Sequence, residues 1–338
     1  MQFTHTATTI FCYALAVLLW FLVGQPFQLE KNVEMKNFRI LLSLITQYND
    51  FQLEQAASAR LAAQDLGAEL EIVYADSDTI TQSTQLLRAI QADQIMRPTA
   101  IVFEPVGGTA LPQVARAAAT AGIGWAVLNA DPSYIAELRS SARAPIFAVN
   151  SDHKEIGRLQ AKQVAALLPR GGSILYIQGP SETTAAKDRA IGLQSALSAN
   201  IQVVTLKGQW TEESAARCVT SWLKLTASSK SRVDAVVAQN DAMAIGARKL
   251  FSSLSDLEER DRWMRLPYLG VDGIAKTGQA WVRDGLLTAT IVVPAIAGQA
   301  IRLLGPALLA GKAVPERTFT VSESMPPLEK LAPTRVAP

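Results

Sequence analysis

The chain has 338 residues, of which 49% are hydrophobic and 18% charged, so it can bury a large core and is long enough for about two domains. Its 32 Lys and Arg against 30 Asp and Glu give a net charge of +2, and no long basic run is present, which argues against nucleic acid as a partner. Cys12 and Cys218 are the only cysteines, which excludes a disulfide framework and a CxxC site for zinc or redox chemistry.

The first predicted element is an apolar leader. Residues 1–29 carry no charged side chain, and residues 10–23 form an unbroken apolar run. The run has the length of a signal-peptide core and is shorter than the roughly 20 residues that span a bilayer. No A-x-A cleavage site is visible, and Lys31, Lys36 and Arg39 follow the run instead of preceding it. We therefore predict that residues 1–35 are a signal peptide or a membrane anchor, and whether they are cleaved stays open.

Ten short apolar runs follow, mostly 20 to 35 residues apart, which is the size of a strand–helix–strand unit. The predicted strands are 38–43, 71–74, 99–103, 124–128, 145–149, 173–177, 203–206, 234–238, 268–271 and 288–293. Compact apolar runs are typical of parallel strands covered on both faces. The two series of five predict an α/β fold with two doubly wound parallel-sheet lobes, and the join lies near residues 150–152.

Helices are expected between these strands. In the first, Leu53, Ala57 and Leu61 recur at helical spacing, and Gly67 stands where a helix would end. A second helix is predicted over residues 152–168, with a periodic apolar face and a stop at Pro169. The proline-rich tail from Pro315 is expected to run over the surface.

Polar and aromatic side chains recur just beyond the predicted strands, where ligands bind in open α/β sheets. The candidate ligand-binding residues are Asn49, Phe51, Asn129, Asp131, Arg189, Trp210, Asn240 and Asp272. Amides and carboxylates bind hydroxyl groups, guanidinium offers a fixed fork of donors, and aromatic rings cover the apolar face of a sugar. This set suits a small polyhydroxylated solute.

Several of these side chains also have a structural interpretation. Asp241 is expected to cap the helix that follows it, and Trp210 and Phe51 could belong to the core. His153 beside Asp152 is interpreted as half of a surface pair near a helix start.

Catalytic motifs are absent from the sequence. No G-x-G-x-x-G follows the first strand, and neither G-x-x-x-x-G-K-[ST] nor G-x-S-x-G occurs. The only histidines are His5 and His153, so a histidine-based enzyme would depend on one of these two. We predict a protein that is not an enzyme and that needs no metal and no cofactor.

Four segments carry a family resemblance. They are 238–247 (AQNDAMAIGA), 270–273 (GVDG), 289–291 (ATI) and 185–192 (AAKDRAIG). Together they resemble the ribose/galactose-type periplasmic binding proteins, the solute receptors of sugar-uptake ABC transporters, from Arg39 to about Pro327. Repressors of the lactose-repressor family share the two-lobe fold, but they begin with a helix-turn-helix where this chain has an apolar leader.

The resemblance implies the type I periplasmic binding protein fold, with two lobes joined by three crossings. The N-terminal lobe would comprise residues 36–151 and 294–318, and the C-terminal lobe residues 152–293 and 319–330. Asn49 and Phe51 would line the first lobe's side of the cleft. Arg189, Trp210, Asn240 and Asp272 would line the second, with Trp210 stacked on a sugar ring.

Two departures from the family pattern concern the ligand. Where sugar-binding relatives often have an Asp-Arg pair, this chain reads Asn129-Ala130, with Asp131 one position later. Where the ribose-type pattern has Gln, this chain has Val293. A buried polar group without a partner costs about 1–3 kcal/mol, so such changes accompany a change of ligand, and simple ribose is not expected.

The sequence therefore predicts a periplasmic, monomeric solute receptor that closes on a small solute, most simply a sugar, and delivers it to an ABC transporter permease. The alternative is a membrane-anchored sensor that passes ligand occupancy to a signalling protein.

Overall fold

The computed structural model describes residues 38–108, 110–225 and 232–333, and the predicted leader lies outside these ranges. The strands are β1 (Arg39–Leu44), β2 (Glu69–Tyr74), β3 (Ala100–Phe103), β4 (Gly124–Leu128), β5 (Ile146–Ser151), β6 (Gly172–Gln178), β7 (Ile201–Lys207), β8 (Ala235–Ala238), β9 (Tyr268–Leu269), β10 (Thr290–Val292), β11 (Arg317–Thr320) and β12 (Glu323–Met325). The helices are α1 (Asp50–Leu66), α2 (Thr79–Ile90), α3 (Pro112–Thr120), α4 (Tyr134–Ser141), α5 (His153–Leu167), α6 (Thr184–Ala196), α7 (Glu212–Leu223), α8 (Asp241–Ser252), α9 (Leu257–Met264), α10 (Gly278–Arg283) and α11 (Ala297–Ala310).

The first lobe is built on a six-stranded sheet in the order β11-β5-β4-β3-β1-β2, with every pair parallel. Its central strands are buried on both faces, because α1 and α11 cover one face while α2, α3 and α4 cover the other, and the edge strands β2 and β11 are partly exposed. This double coverage explains why the strands read as unbroken apolar runs in the sequence.

The second lobe is built on a four-stranded parallel sheet in the order β7-β6-β8-β9. Two isolated parallel bridges, Leu269 to Ala289 and Asp272 to Val292, extend it toward β10. Helices α7, α8 and α9 cover one face, and α5 and α6 cover the other. The predicted fold class, two doubly wound parallel-sheet lobes, is thereby confirmed.

The chain passes between the two sheets three times, at β5 to α5, at β10 to α11 and at β11 to β12. The tail from Pro315 lies largely at the surface, as expected, but it also forms two strands that no apolar run predicted. Strand β11 extends the first sheet as far as Thr320, and β12 pairs antiparallel with β10 of the second lobe. Prolines flank these two strands and do not interrupt their hydrogen bonding. The proline-rich composition of the tail therefore gave no sign that it contains strands.

Helix α1 is present where the spacing predicts it, but the buried face is a different one. Leu53 and Leu61 are exposed, whereas the buried positions include Gln55, Ala56 and Ala59. Small side chains are needed there because α1 packs closely on α11, where Gly298 lies against Ser58. Gly67 ends α1 in the left-handed conformation, as expected.

No helix within the described ranges is long and apolar enough to cross a membrane.

Candidate functional site

A cavity of about 390 Å³ lies where the carboxyl ends of both sheets face each other, and residues of both lobes line it. Seven of the eight predicted ligand-binding residues are at this cavity: Asn49, Phe51, Asn129, Arg189, Trp210, Asn240 and Asp272. Strand ends converge here because each sheet is parallel, so the loops after its strands leave from one edge.

Arg189 is the central cation of the second lobe's side. It lies on α6 and is only 4% exposed, and its Nη1 donates to the carbonyl of Gln239. Its Nη2 is 3.7 Å from Oδ1 of Asp272, and the guanidinium carbon is 5.6 Å from the centre of the Trp210 ring. Its Nε has no hydrogen-bond partner among the described residues. A guanidinium held in this way keeps a donor available for a hydroxyl oxygen.

Asp272 faces Arg189 from the loop after β9, with a positive φ of 107°. Backbone hydrogen bonds hold this loop. The N–H of Asp272 donates to the carbonyl of Ile291, and the carbonyl of Asp272 accepts from the N–H of Val293. Burial raises the pKa of Asp272 to about 7 against the opposing charge of Arg189, and the charges of Asp50 and Glu104 raise it further. The carboxyl can therefore change protonation when a ligand binds.

Asn240, and not the predicted Asp241, caps helix α8. The Oδ1 of Asn240 accepts from the N–H of Met243 at 2.9 Å, and its Nδ2 donates to the carbonyl of Trp210 at 2.9 Å. Asp241 is buried instead, where it accepts from the N–H of Gly273 and the hydroxyl of Thr290. Asp241 therefore holds the loop that carries Asp272.

Trp210 lies at the turn before α7, with a positive φ of 64°. Its ring rests on Gly179, where an added Cβ would stand 2.3 Å from a ring atom, so this position has no room for a side chain. The ring also packs on the core of the second lobe, while its other contacts are with Arg189 and the cavity. It is both a core residue and a cavity wall.

The first lobe contributes Asn49 and Phe51 at the start of α1. The Oδ1 of Asn49 caps the helix by accepting from the N–H groups of Phe51 and Gln52. Phe51 is half-buried and packs against the apolar cluster of Ile156, Val271, Ile291 and Val293. It therefore contributes both to the cavity wall and to the contact between lobes.

Glu104 was not predicted, although it follows β3 directly and the strand-end rule applies to it. It is buried, and its carboxylate accepts from Nε2 of Gln52 at 2.7 Å and from Nδ2 of Asn129 at 2.9 Å. Burial raises the pKa of Glu104 above its ordinary value, and the two hydrogen bonds and the charge of Arg189 offset only part of that rise.

Asp131 is the predicted residue that does not reach the cavity. Asn129 takes a left-handed turn with φ of 51°, and its side chain occupies the strand end. Two residues later the chain has reached the surface, where Asp131 is exposed and pairs with Arg317.

His153 is not half of a surface pair. It begins α5, lines the cavity and is 7% exposed, and neither ring nitrogen has a hydrogen-bond partner among the described residues. Burial lowers the pKa of His153 well below its ordinary value, and the charge of Arg189 lowers it further. The ring is therefore neutral and offers one donor and one acceptor.

In chemical terms the site combines hydrogen-bonding amides, three carboxyl groups, one guanidinium and an aromatic wall. Within the described ranges, no group of three or more His, Cys, Asp or Glu side chains is arranged to hold a metal ion. The arrangement can bind a hydroxyl-rich molecule from two opposite sides.

Comparison with known proteins identifies the class. Residues 40–313 match the model of the periplasmic binding protein domain, so the chain belongs to that family. The predicted resemblance is thereby confirmed.

Two relatives and one solved structure illustrate the similarity. The chain is 26% identical over 254 residues to a D-ribose/D-allose-binding protein of Pseudomonas aeruginosa, covering 75% of this chain and 76% of the relative. It is 25% identical over 281 residues to a ribose import binding protein of Bacillus subtilis, covering 82% and 84%. An ABC transporter solute binding protein from Mycobacterium smegmatis with bound glycerol matches with a TM-score of 0.69 and 25% identity, covering 85% of this chain and 93% of that chain.

Proposed function

We propose that this protein captures a sugar or related polyol between its two lobes and delivers it to the permease of an ABC importer. The observation that carries the proposal is the buried pair of Arg189 and Asp272 beside Trp210, on the wall of a cavity lined from both lobes. Relatives named for ribose, allose and ribose import support the same class of ligand and the transport role.

The polar groups of the second lobe would bind the ligand first. Among the described residues, Nε of Arg189 has no hydrogen-bond partner, and the Asp272 carboxylate lies 3.7 Å from Nη2 of Arg189. Ring oxygens and hydroxyls of a sugar complement these groups as acceptors and donors. Trp210 would cover the apolar face of the ring.

The first lobe would complete the site on closure. Asn49, Phe51 and Asn129 lie on the opposite wall, and three short crossings are the segments at which a hinge rotation would take place. Closure requires that the ligand binds the closed form more tightly than the open one, and a ligand that touches both walls meets that requirement.

The remaining parts of the proposal concern location and state. We place the protein in the periplasm, exported by residues 1–35, as a monomer without cofactor or catalytic activity. Membership of the periplasmic binding protein family supports the location. The sensor alternative has weaker support, because the relatives named above include an import protein.

The test is thermal unfolding of the purified protein with a library of sugars and polyols, because a ligand that binds the folded state raises the unfolding midpoint by mass action. A concentration-dependent rise with one class of compound, absent in Asp272→Ala, supports the proposal. Failure of every compound to raise the midpoint contradicts it.

A further inference from the structure

Glu104 differs from Asp272 in that no cation of the described residues pairs with it. Both of its hydrogen-bond donors are neutral amides, on Gln52 and Asn129. Each amide is itself oriented by a backbone N–H, since Gln52 accepts from Ile45 at 2.9 Å and Asn129 accepts from Ser151 at 3.3 Å. The carboxylate is thus fixed in position at the cavity wall, and no cation within the described ranges contacts it.

The charges around the cavity do not balance. Three carboxylates line it, Glu104, Asp272 and the exposed Glu182, whereas Arg189 is the cation among the described lining residues. Arg189 is in contact with Asp272, and its charge reaches Glu104 only at longer range. His153 does not add a positive charge, because burial and Arg189 both lower its pKa.

This imbalance matters when the lobes close. Closure around a neutral sugar would remove the remaining water from Glu104 and leave an ionised carboxylate with no cation, which is costly in a buried site. A ligand ammonium group would supply the missing charge and donate a charge-assisted hydrogen bond. Protonation of Glu104 is the other way to remove the charge, and it would favour a neutral ligand.

Other groups in the cavity point to hydroxyls on the same ligand. The two ring nitrogens of the nine-tenths-buried His153 and the Nε of Arg189 have no hydrogen-bond partner among the described residues. Trp210 offers an apolar face for a six-membered or five-membered ring. The ligand would therefore be a ring with several hydroxyls and one positive charge.

We propose that the cavity selects a sugar or cyclitol that carries a primary ammonium group, and that Glu104 is the residue that binds this group. The proposal rests on the proposed function, since it assigns the ligand class of the same cavity.

The experiment compares matched pairs that differ only by an amino group in place of a hydroxyl. The probes are D-glucosamine with D-glucose, D-galactosamine with D-galactose, and scyllo-inosamine with scyllo-inositol, titrated calorimetrically into the full-length protein at pH 7. We expect the amino member of at least one pair to bind about tenfold or more tightly than its hydroxyl partner. In Glu104→Gln this preference, measured as the ratio of the two affinities within each pair, is lost or reversed, and the ratio is the readout because the new amide also disturbs the donors Gln52 and Asn129.

Glu182→Gln is the matched control, because it removes the same charge from an exposed residue at the cavity rim. It should leave the preference largely unchanged, since charge in contact with water is screened. Far-ultraviolet circular dichroism and the unfolding midpoint verify that both variants are folded.

Three results would overturn the proposal. Binding of hydroxyl members with equal or greater affinity in every pair refutes the amine preference and leaves the proposed function intact. An amine preference that survives in Glu104→Gln refutes the role of Glu104. Absence of binding by all six compounds and by every sugar of the wider library contradicts the proposed function and this inference with it.

Discussion

The two walls of the cavity are built on different principles. The second lobe's wall is centred on an ion pair, Arg189 with Asp272, supported by an aromatic ring and by the buried Asp241 behind the loop. The first lobe's wall is centred on one carboxylate, Glu104, held by two amides. The ion-pair wall leaves donors and acceptors for hydroxyls, whereas the other wall presents a carboxyl group that accepts from two amides and contacts no described cation.

This difference suggests that the second lobe's wall provides affinity and the first lobe's wall provides selectivity. A wall with unpartnered donors and a carboxyl of shifted pKa gains hydrogen bonds from any hydroxyl-rich ligand. A wall that presents one unbalanced charge discriminates among ligands by charge. Loss of the second lobe's groups should therefore abolish binding, and changes on the first lobe's side should alter selectivity.

The largest expected effect is that of Arg189→Ala, measured by titration with whichever compound raises the unfolding midpoint of the wild type. Affinity should fall by about a hundredfold or more, since a charge-assisted contact is lost and Asp272 remains buried without its cation. Because Arg189 also donates to the buried carbonyl of Gln239, the unfolding free energy should fall by about 1–3 kcal/mol as well.

Arg189→Lys separates these two effects. It retains the charge but not the planar fork, so it should recover stability more fully than affinity. Affinity equal to the wild type in Arg189→Ala, with the protein folded, would contradict the assignment of this wall.

The next effect is the pH dependence that Asp272 causes. Its pKa is raised to about 7, so ligand hydroxyls that donate to the ionised form should increase affinity for a neutral sugar as pH rises through about 7. The contribution of Asp272 to the free energy of unfolding of the unliganded protein changes in the opposite direction and falls as pH rises. It is full below the ordinary pKa of 3.8 and is lost as pH rises through about 7.

Asp272→Asn should abolish both trends and weaken binding at pH 8 by about tenfold or more. Arg189, Asp50 and Glu104 act electrostatically on Asp272, and Glu104 can itself titrate, so the profile is measured in a Glu104→Gln background. A profile that keeps the same slope in Asp272→Asn would assign the titration to another group.

A smaller effect is expected at Trp210. Trp210→Phe keeps an apolar wall and should cost threefold to about tenfold in affinity, because part of the stacking surface is lost. Trp210 should also dominate the change of intrinsic fluorescence on ligand binding, as it is a tryptophan on the cavity wall. A fluorescence change that persists undiminished in Trp210→Phe would show that the ligand lies elsewhere.

The smallest effect is expected at Asp131, and it distinguishes this residue from Asn129. Asp131→Ala should leave affinity unchanged and lower the unfolding free energy by at most about 1 kcal/mol, because its pair with Arg317 is at the surface. Asn129→Ala should change affinity, since it removes a donor to Glu104. A loss of affinity in Asp131→Ala comparable with that in Asn129→Ala would place Asp131 in the site.

The sequence predicted the second wall better than the first for a physical reason. Arg189, Asn240 and Asp272 belong to segments that carry the family resemblance, Trp210 follows β7, and all four line the cavity. Strands β1 to β10 were also predictable from their short apolar runs, although β2 and β7 are partly exposed. Glu104 was missed although it stands at an equivalent strand end.

The errors arose where tertiary contacts decide the outcome. The left-handed turn at Asn129 sends Asp131 to the surface, and no local pattern of side chains specifies that turn. His153 is buried because the first crossing brings the start of α5 beneath the cavity. In α1, the face that carries alanines is buried because the helix packs closely on α11, and the two leucines are exposed.

The most direct test of the account is calorimetric titration of the wild-type protein and Arg189→Lys with the compound that gives the largest rise in unfolding midpoint from a library of sugars, polyols and their amino analogues. We expect one-to-one binding by the wild type and affinity at least about tenfold weaker in the variant. Equal affinity in the two proteins, or no binding by any compound in the library, would contradict a solute site built around Arg189.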